Sequence, residues 1–376
     1  MNCLLSALNY NLLSYKSNEC HYDTKTLNRC IFQIFRFTHF QIINFSLFVI
    51  RYSLFVFRFS FFVIRYSLFV IRYFCPMSEK PYPYSYRAYS LNILSQLPVT
   101  GFEPAPVKTA DVFIHEGTVP ETLNNIINKG VLYQSNDHEF LLNVEKVAAY
   151  FVRDGNEIIV QRLGNASEGE VSAFLAGTSF GALMHQRRLL PLHACTVIFK
   201  DKCLVFAGIS GAGKSTLAAA LVKAGGMLVA DDISVIDFSG EKPAVSPAFP
   251  SIKIWEDSLK HLGISLAGLE PVRGELKKYY LPVGKFSRAY TAISRIFILQ
   301  SHNLDTLLVK DIQGVDKFRV LKKHTYLFRG IPKTGLEQNH FQLVNQLASQ
   351  VPVTLLTRPN GEFNTEKLVQ AIEETR

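Results

Sequence analysis

The chain has 376 residues, enough for two or three domains that each bury a core. Its formal net charge of +9 would ordinarily point to nucleic acid or a membrane surface. The excess is local, however: residues 1–76 hold eight Lys and Arg against two Asp and Glu, leaving 32 against 29 for residues 77–376, so no nucleic-acid partner is expected.

The first 76 residues carry a repeat of strict period seven, SLFVIRY (46–52), SLFVFRF (53–59), SFFVIRY (60–66) and SLFVIRY (67–73). As a membrane span the run is long enough. Arg58 and Arg65 would then lie near the bilayer centre at about 2.5–3.5 kcal/mol each, cancelling the gain from the surrounding Leu, Ile, Val and Phe. As a strand stack, an odd period flips the faces at every repeat, so no inner face forms. A short tandem DNA repeat read through upstream of a gene gives such near-identical heptads, and Met77 follows directly. The expectation is therefore a mis-called extension over 1–76 with Met77 as the true start. A membrane anchor is the alternative, and no membrane partner is expected without it. No apolar core with a small-residue cleavage site marks a signal peptide. Four of the six cysteines, Cys3, Cys20, Cys30 and Cys75, sit in this segment. Cys195 and Cys203 lack metal-ligand spacing and read as small buried residues on neighbouring strands of a cytoplasmic protein.

From Tyr82 to about Gln186 the pattern is short and strand-like. YRAYSLNILSQLPV, DVFIHEG and HEFLLNVEKVAAYFVRDGNEIIV alternate apolar and polar residues, with a turn at Asp154-Gly155. A helix follows over Glu170–Arg188, where Phe174, Phe180, Leu183 and Met184 recur at helical intervals as core. Residues 77–188 thus read as a small β-rich N-terminal lobe. From Leu192 the texture becomes α/β. HACTVIF and CLVFAG are strands around a Lys200-Asp201-Lys202 turn, KSTLAAALVKAG is a helix and MLVADD a buried strand. Later come the helix WEDSLKHLG, the strand SRIFILQ, the helix NHFQLVNQLASQ, the strand VPVTLLT and a terminal helix from NTEKLVQAIEE. This alternation over 189–376 predicts a mainly parallel sheet. The basic stretch Arg273–Tyr280 reads as a solvated charged loop, or as a grip for an acidic protein or peptide.

The run FAGISGAGKST carries the chemistry. Gly208, Gly213, Lys214 and Ser215 fill every fixed position of G-x-x-x-x-G-K-[ST], with Ser210, Gly211, Ala212 and Thr216 completing the loop between a strand and an Ala-rich helix. Such a loop wraps phosphates with backbone N–H groups, its lysine reaches the β/γ oxygens, and its serine hydroxyl ligates Mg²⁺. ATP and Mg²⁺ are therefore the expected cofactors, while the reaction type is left open. Sixteen and seventeen residues after Ser215 stand Asp231 and Asp232, at the end of a buried strand. Adjacent carboxylates project apart, so one can hold the metal while the other accepts a hydroxyl proton. His193 lies fifteen residues before Gly208; alone it reads as an ordinary polar residue.

The histidine, the loop and the ADD run together resemble the catalytic domain of HPr kinase/phosphorylase, the bacterial serine kinase related in fold to phosphoenolpyruvate carboxykinase. The resemblance covers residues 190–260. It implies an α/β fold, a P-loop-containing, phosphoenolpyruvate carboxykinase-like catalytic domain behind the β-rich N-terminal lobe. It further implies phosphate binding by Lys214, Mg²⁺ ligation by Ser215 with Asp231 beside it, Asp232 as the base towards a substrate serine, and His193 assisting. Glu256 or Asp257 matches a later acidic metal ligand. A protein or peptide bearing an acceptor serine is the implied partner, and a homo-oligomer follows by analogy with the hexameric family members. The RGLGI-type signature is missing, with Arg273 in VRGELKKYYLPVG its partial echo. The sequence is therefore more similar to divergent HPr-kinase-like proteins, and HPr as substrate is not carried over. A catalytically silent ATP-binding sensor or scaffold and a small-molecule kinase are the alternatives. No LSGGQ-like signature follows the loop, and no N-K-x-D run serves guanine.

Overall fold

The computed structural model describes residues 82–274, 276–331, 335–360 and 364–375. The heptad repeat and the expected start at Met77 lie outside them. The described chain is mixed α/β with several sheets.

The alternating segments of residues 82–162 form nine strands, β1 (Tyr84–Ala88), β2 (Leu91–Ser95), β3 (Glu103–Pro104), β4 (Val112–Glu116), β5 (Asn128–Lys129), β6 (Tyr133–Ser135), β7 (Glu139–Val144), β8 (Ala148–Arg153) and β9 (Glu157–Arg162). They make one sheet in the order β3-β1-β2-β4-β9-β8-β7-β6-β5. Asp154 and Gly155, both at positive φ (50° and 67°), make the expected tight turn between β8 and β9.

The single helix expected over Glu170–Arg188 is instead two, α1 (Glu168–Phe174) and α2 (Phe180–Gln186), joined by a π-helical turn over Leu175–Ser179. It starts two residues early because Ser167 and Glu170 close a capping box. A Cβ on Gly181 would lie 2.7 Å from the Tyr326 ring, so the tyrosine rests against bare helix backbone.

The second half is built on a six-stranded sheet of β11 (Ala194–Phe199), β12 (Lys202–Gly208), β13 (Met227–Ala230), β20 (Arg295–His302), β21 (Leu308–Ile312) and β22 (Val353–Pro359), in the order β13-β11-β12-β20-β22-β21. It is mixed, correcting the mainly parallel expectation: β12, β20 and β22 run parallel, while β13, β11 and β21 pair antiparallel. The cause is the Lys200-Asp201 turn, whose φ angles of 47° and 62° suit a two-residue hairpin that returns the chain antiparallel. Cys195 and Cys203 are both buried on these neighbouring strands.

Period-two alternation assigns each strand's side chains to two cores. Leu204, Phe206, Phe297 and Leu299 face α3 (Lys214–Lys223) and the C-terminal helix α7 (Thr365–Glu374), through Leu217, Leu221, Leu368 and Ile372. Val205, Ala207, Ile296 and Ile298 face the other way. They join a cluster holding Tyr150 and Ile158 of the first sheet, Leu183 of α2, Leu321 of α5 (Val315–Lys323) and Val344 of α6 (Gly335–Gln350). A sheet covered on both faces needs strands apolar throughout, which is how VFAG and IFIL read.

Two small sheets complete the described chain. One contains β10 (Leu190–Leu192), β14 (Ser234–Asp237), β15 (Ala244–Val245) and β19 (Thr291–Ala292). The other contains β16 (Ser251–Trp255), β17 (Glu270–Arg273) and β18 (Leu276–Pro282) in the order β16-β18-β17. The Arg273–Tyr280 stretch, read as a charged loop, is thus largely paired strand. Between β16 and β17 lies α4 (Glu256–His261). No helix among the described residues is long and apolar enough to cross a membrane.

Candidate functional site

The glycine-rich loop runs from the end of β12 into α3. Gly208 sits so close to β20 that a Cβ there would lie 2.9 Å from the Leu299 carbonyl oxygen. Gly213 caps α3 at φ +98°, a left-handed conformation that costs an ordinary residue about 1–2 kcal/mol. The loop then delivers the first turn of α3, whose N–H groups lack intrahelical partners and carry partial positive charge. Gly208→Ala is expected to destabilise the fold by about 1–3 kcal/mol, because backbone on one side or the other must shift. A lowered midpoint in a thermal melt checks it.

Lys214 opens α3 and is buried at 7 % exposure. Its Nζ donates to the carbonyls of Gly208 (2.9 Å) and Ile209 (3.1 Å) and approaches His193 Nε2 at 3.1 Å. Burial lowers its pKa, only partly opposed by Asp231 and Asp232. His193 is placed just before β11, and its Nδ1 lies 3.1 Å from the Asp232 carbonyl oxygen. An ammonium at Nε2 leaves that nitrogen as acceptor, so Nδ1–H is the donor to Asp232. Burial and the Lys214 charge together lower the His193 pKa, keeping the ring neutral.

The two aspartates follow β13 and turn to different partners. Asp231, 1 % exposed, accepts from the Ser215 hydroxyl (3.0 Å) and the Cys195 thiol at Oδ1, and from the Lys253 backbone N–H (2.7 Å) at Oδ2. Asp232 stands at φ +69°, a conformation aspartate tolerates better than most residues, and this rotates its carboxylate away from its neighbour's. There Oδ2 accepts from Lys253 Nζ at 3.0 Å, and Oδ1 lies 3.7 Å from His193 Nδ1. Burial pushes the Asp232 pKa up, but Lys253, Lys278 and His193 outweigh it and hold the carboxyl well below the usual range. Lys253 is 4 % exposed, and the pull of Asp232 overcomes burial to raise its pKa.

Lys214, Ser215, Asp231, Asp232 and His193, expected together, are therefore joined in one hydrogen-bonded group. Thr216 bonds instead to Ser258 (2.8 Å), tying α3 to α4. Glu256 pairs with Lys260 one turn along its own helix, and Asp257 is exposed. Among the described residues no group of three or more His, Cys, Asp and Glu could hold a metal by itself. The Ser215–Asp231 pair nevertheless offers the hard oxygen donors that suit Mg²⁺, an ion that takes one or two carboxylates and draws its other ligands from phosphates and water.

Sequence reasoning missed Lys253, Cys195 and Tyr326, whose ring lies 5.7 Å from that of His193. Lys253 did leave a signal: a lysine within the apolar run SIKIW is a buried charge in need of a partner.

No protein-family model matches the chain, and no curated protein matches it. Among solved structures, the HPr(Ser) kinase/phosphatase from Coxiella burnetii is similar at 14 % sequence identity and a TM-score of 0.27, covering 49 % of this chain and 93 % of that one. That is a weak neighbour, and it assigns no family to the chain.

Proposed function

We propose that the chain is an ATP- and Mg²⁺-dependent kinase that transfers the γ-phosphate to a serine hydroxyl of a protein or peptide. The observation that carries this reading is the divergence of the two adjacent carboxylates. Asp231 is bound to the loop serine, while Asp232 stands beside the loop lysine and His193.

Ser215 and Asp231 would hold Mg²⁺, which supplies charge neutralisation of the phosphates when bound. Lys214 exchanges the carbonyls of Gly208 and Ile209 for phosphate oxygens, and the loop amides share that charge. The acceptor hydroxyl gives its proton to Asp232 as the serine O–P bond forms, and the bond from the γ-phosphorus to the bridging oxygen breaks to release ADP. A loose phosphoryl-transfer transition state asks little basicity of the proton acceptor. An aspartate kept ionised by Lys253 therefore suits a role of orienting the hydroxyl and taking its proton late.

The resting ion pair between Asp232 and Lys253 also favours a second reading, a module that binds ATP without transferring phosphate. The test is radiolabel transfer from [γ-³²P]ATP by the full chain to proteins encoded beside its gene. Asp232→Asn is expected to cut phosphoserine formation by about 10²–10⁴-fold with ATP binding retained. Equal labelling by the variant removes Asp232 as base. ATP binding without any labelling by the wild type establishes the silent module.

A further inference from the structure

Asp232 borders a largely buried sheet face that the phosphate chemistry does not use. On β16 and β18 the register places Lys253 opposite Tyr280 and Trp255 opposite Lys278, so these four share one face of the three-stranded sheet with Ser251. The other face is apolar: Ile252 and Ile254 enter the core beneath α3 and α7, with Tyr279 and Leu281 against them. Arg273 joins the polar face at the end of β17 by pairing with Leu276, which lies on the Lys278–Tyr280 side of β18.

This face is rich in donors that nothing satisfies. The hydroxyls of Ser251 and Tyr280 and the Nε of Arg273 are buried without a hydrogen-bond partner. Tyr280 is only 4 % exposed. Arg273 stacks over the Phe174 ring at 4.3 Å, which fixes the plane of its guanidinium. Charge points the same way. Lys253, Lys278 and Arg273 stand here, and the field of Lys278 reaches both Asp232 and Lys214. Of the acids nearby, Asp232 is engaged by Lys253, Glu170 belongs to the capping box of α1, and Glu270 is exposed opposite Tyr280.

Buried hydroxyl and guanidinium donors beside lysines call for an acceptor-only, anionic partner with several lone pairs, which describes a carboxylate. We propose that this face is the subsite for the phosphate acceptor and that it reads a carboxylate placed beside the acceptor hydroxyl. The inference rests on the kinase reading above and adds the acceptor's chemical class. That carboxylate can belong to an acidic residue next to a peptide serine or to a small hydroxy acid. Its binding also gives Lys253 a second anion, loosening its hold on Asp232 when an acceptor is present.

Trp255 is the sole tryptophan of the chain; it is 43 % exposed at the rim of this face, with Lys278 Nζ 5.7 Å from its ring centre. Its fluorescence is thus a local reporter in the full-length protein. Two matched pairs are titrated, acetyl-Ser-Asp-amide against acetyl-Ser-Asn-amide and L-serine against L-serinamide, with inorganic phosphate alongside. The expected result is saturation by the carboxylate member of at least one pair about tenfold tighter than by its amide twin, and the responding pair tells peptide from small molecule. Tyr280→Phe and Arg273→Met should each erase that preference, while Tyr280→Phe leaves the melting temperature unchanged or higher because it deletes an unpaired buried hydroxyl. The proposal is overturned if neither carboxylate is preferred, if the preference survives both substitutions, or if phosphate saturates more tightly than either carboxylate. Displacement of a fluorescent nucleotide by ATP is measured in the same samples. Its absence removes the kinase reading, whereas the carboxylate preference decides this one.

Discussion

Lys214→Met is expected to lower the affinity for Mg-ATP by about 10²-fold or more while leaving the fold as stable as wild type, or more so. The loss follows from the proposed role, in which Nζ would bring a full positive charge to phosphate oxygens in a partly dry site, where charge-assisted hydrogen bonds have roughly twice the strength of neutral ones. The stability follows from the same burial. At 7 % exposure the ammonium has left water for two carbonyls, and its lowered pKa shows that the folded chain disfavours the charge. Methionine keeps the volume and removes the cost of desolvation. Calorimetric titration with Mg-ATP, together with a thermal melt, reads both. A variant that binds ATP as tightly as wild type would show that the loop lysine does not reach the nucleotide.

Lys253→Met should act in the opposite sense on stability, destabilising by about 3 kcal/mol, the lower end for breaking a buried ion pair from one side. The lower end applies because Asp232 is one-fifth exposed and retains Lys278 and His193 nearby. Neutralising both partners, as Lys253→Met with Asp232→Asn, should recover most of that loss, since neither charge is then stranded. The pH dependence carries a definite sign. The Asp232 pKa is depressed in the folded chain, so its stabilisation is present above the unfolded value of about 4 and is lost as pH falls through the folded value. Denaturant titrations should show the wild type losing stability below about pH 4, with this contribution absent from the double variant. In Lys253→Met the carboxyl is relieved of its main cation, so the acid limb of any activity moves to higher pH. An unmoved limb would mean that Asp232 is not the group that titrates.

How far the site could be read beforehand depended on distance along the chain. The loop, its helix and the aspartate pair fall within 25 residues, Gly208 to Asp232, and each has a local reason for its residue types. That the two adjacent carboxylates turn to different partners was legible from their adjacency, although the left-handed backbone at Asp232 that separates them was not. Lys253 escaped because its partner is set by the packing of β16 against the end of β13, which no local pattern encodes. Tyr280 and Arg273 escaped for a related reason. The basic run at Lys277-Lys278 looks solvated until β18 is paired on both edges, whereupon Lys278 and Tyr280 share the sheet face of Lys253. The sheet was misread as mainly parallel because helices between strands suggest crossovers, whereas β11 and β12 are joined by a two-residue turn. Helix α5 went unread: VDKFRVLKK is short and polar, and only Leu321 is fully buried.

The most direct test of the proposed phosphotransfer is a crystal structure of the full chain with ADP, Mg²⁺ and aluminium fluoride in place of the transferring phosphoryl group. The account predicts the fluoride between Lys214 Nζ and the Asp232 carboxylate, the metal on Ser215 Oγ, and Lys214 withdrawn from the carbonyls of Gly208 and Ile209. A nucleotide bound elsewhere, or one bound with Lys214 still on those carbonyls and Asp232 turned from the fluoride, would contradict it.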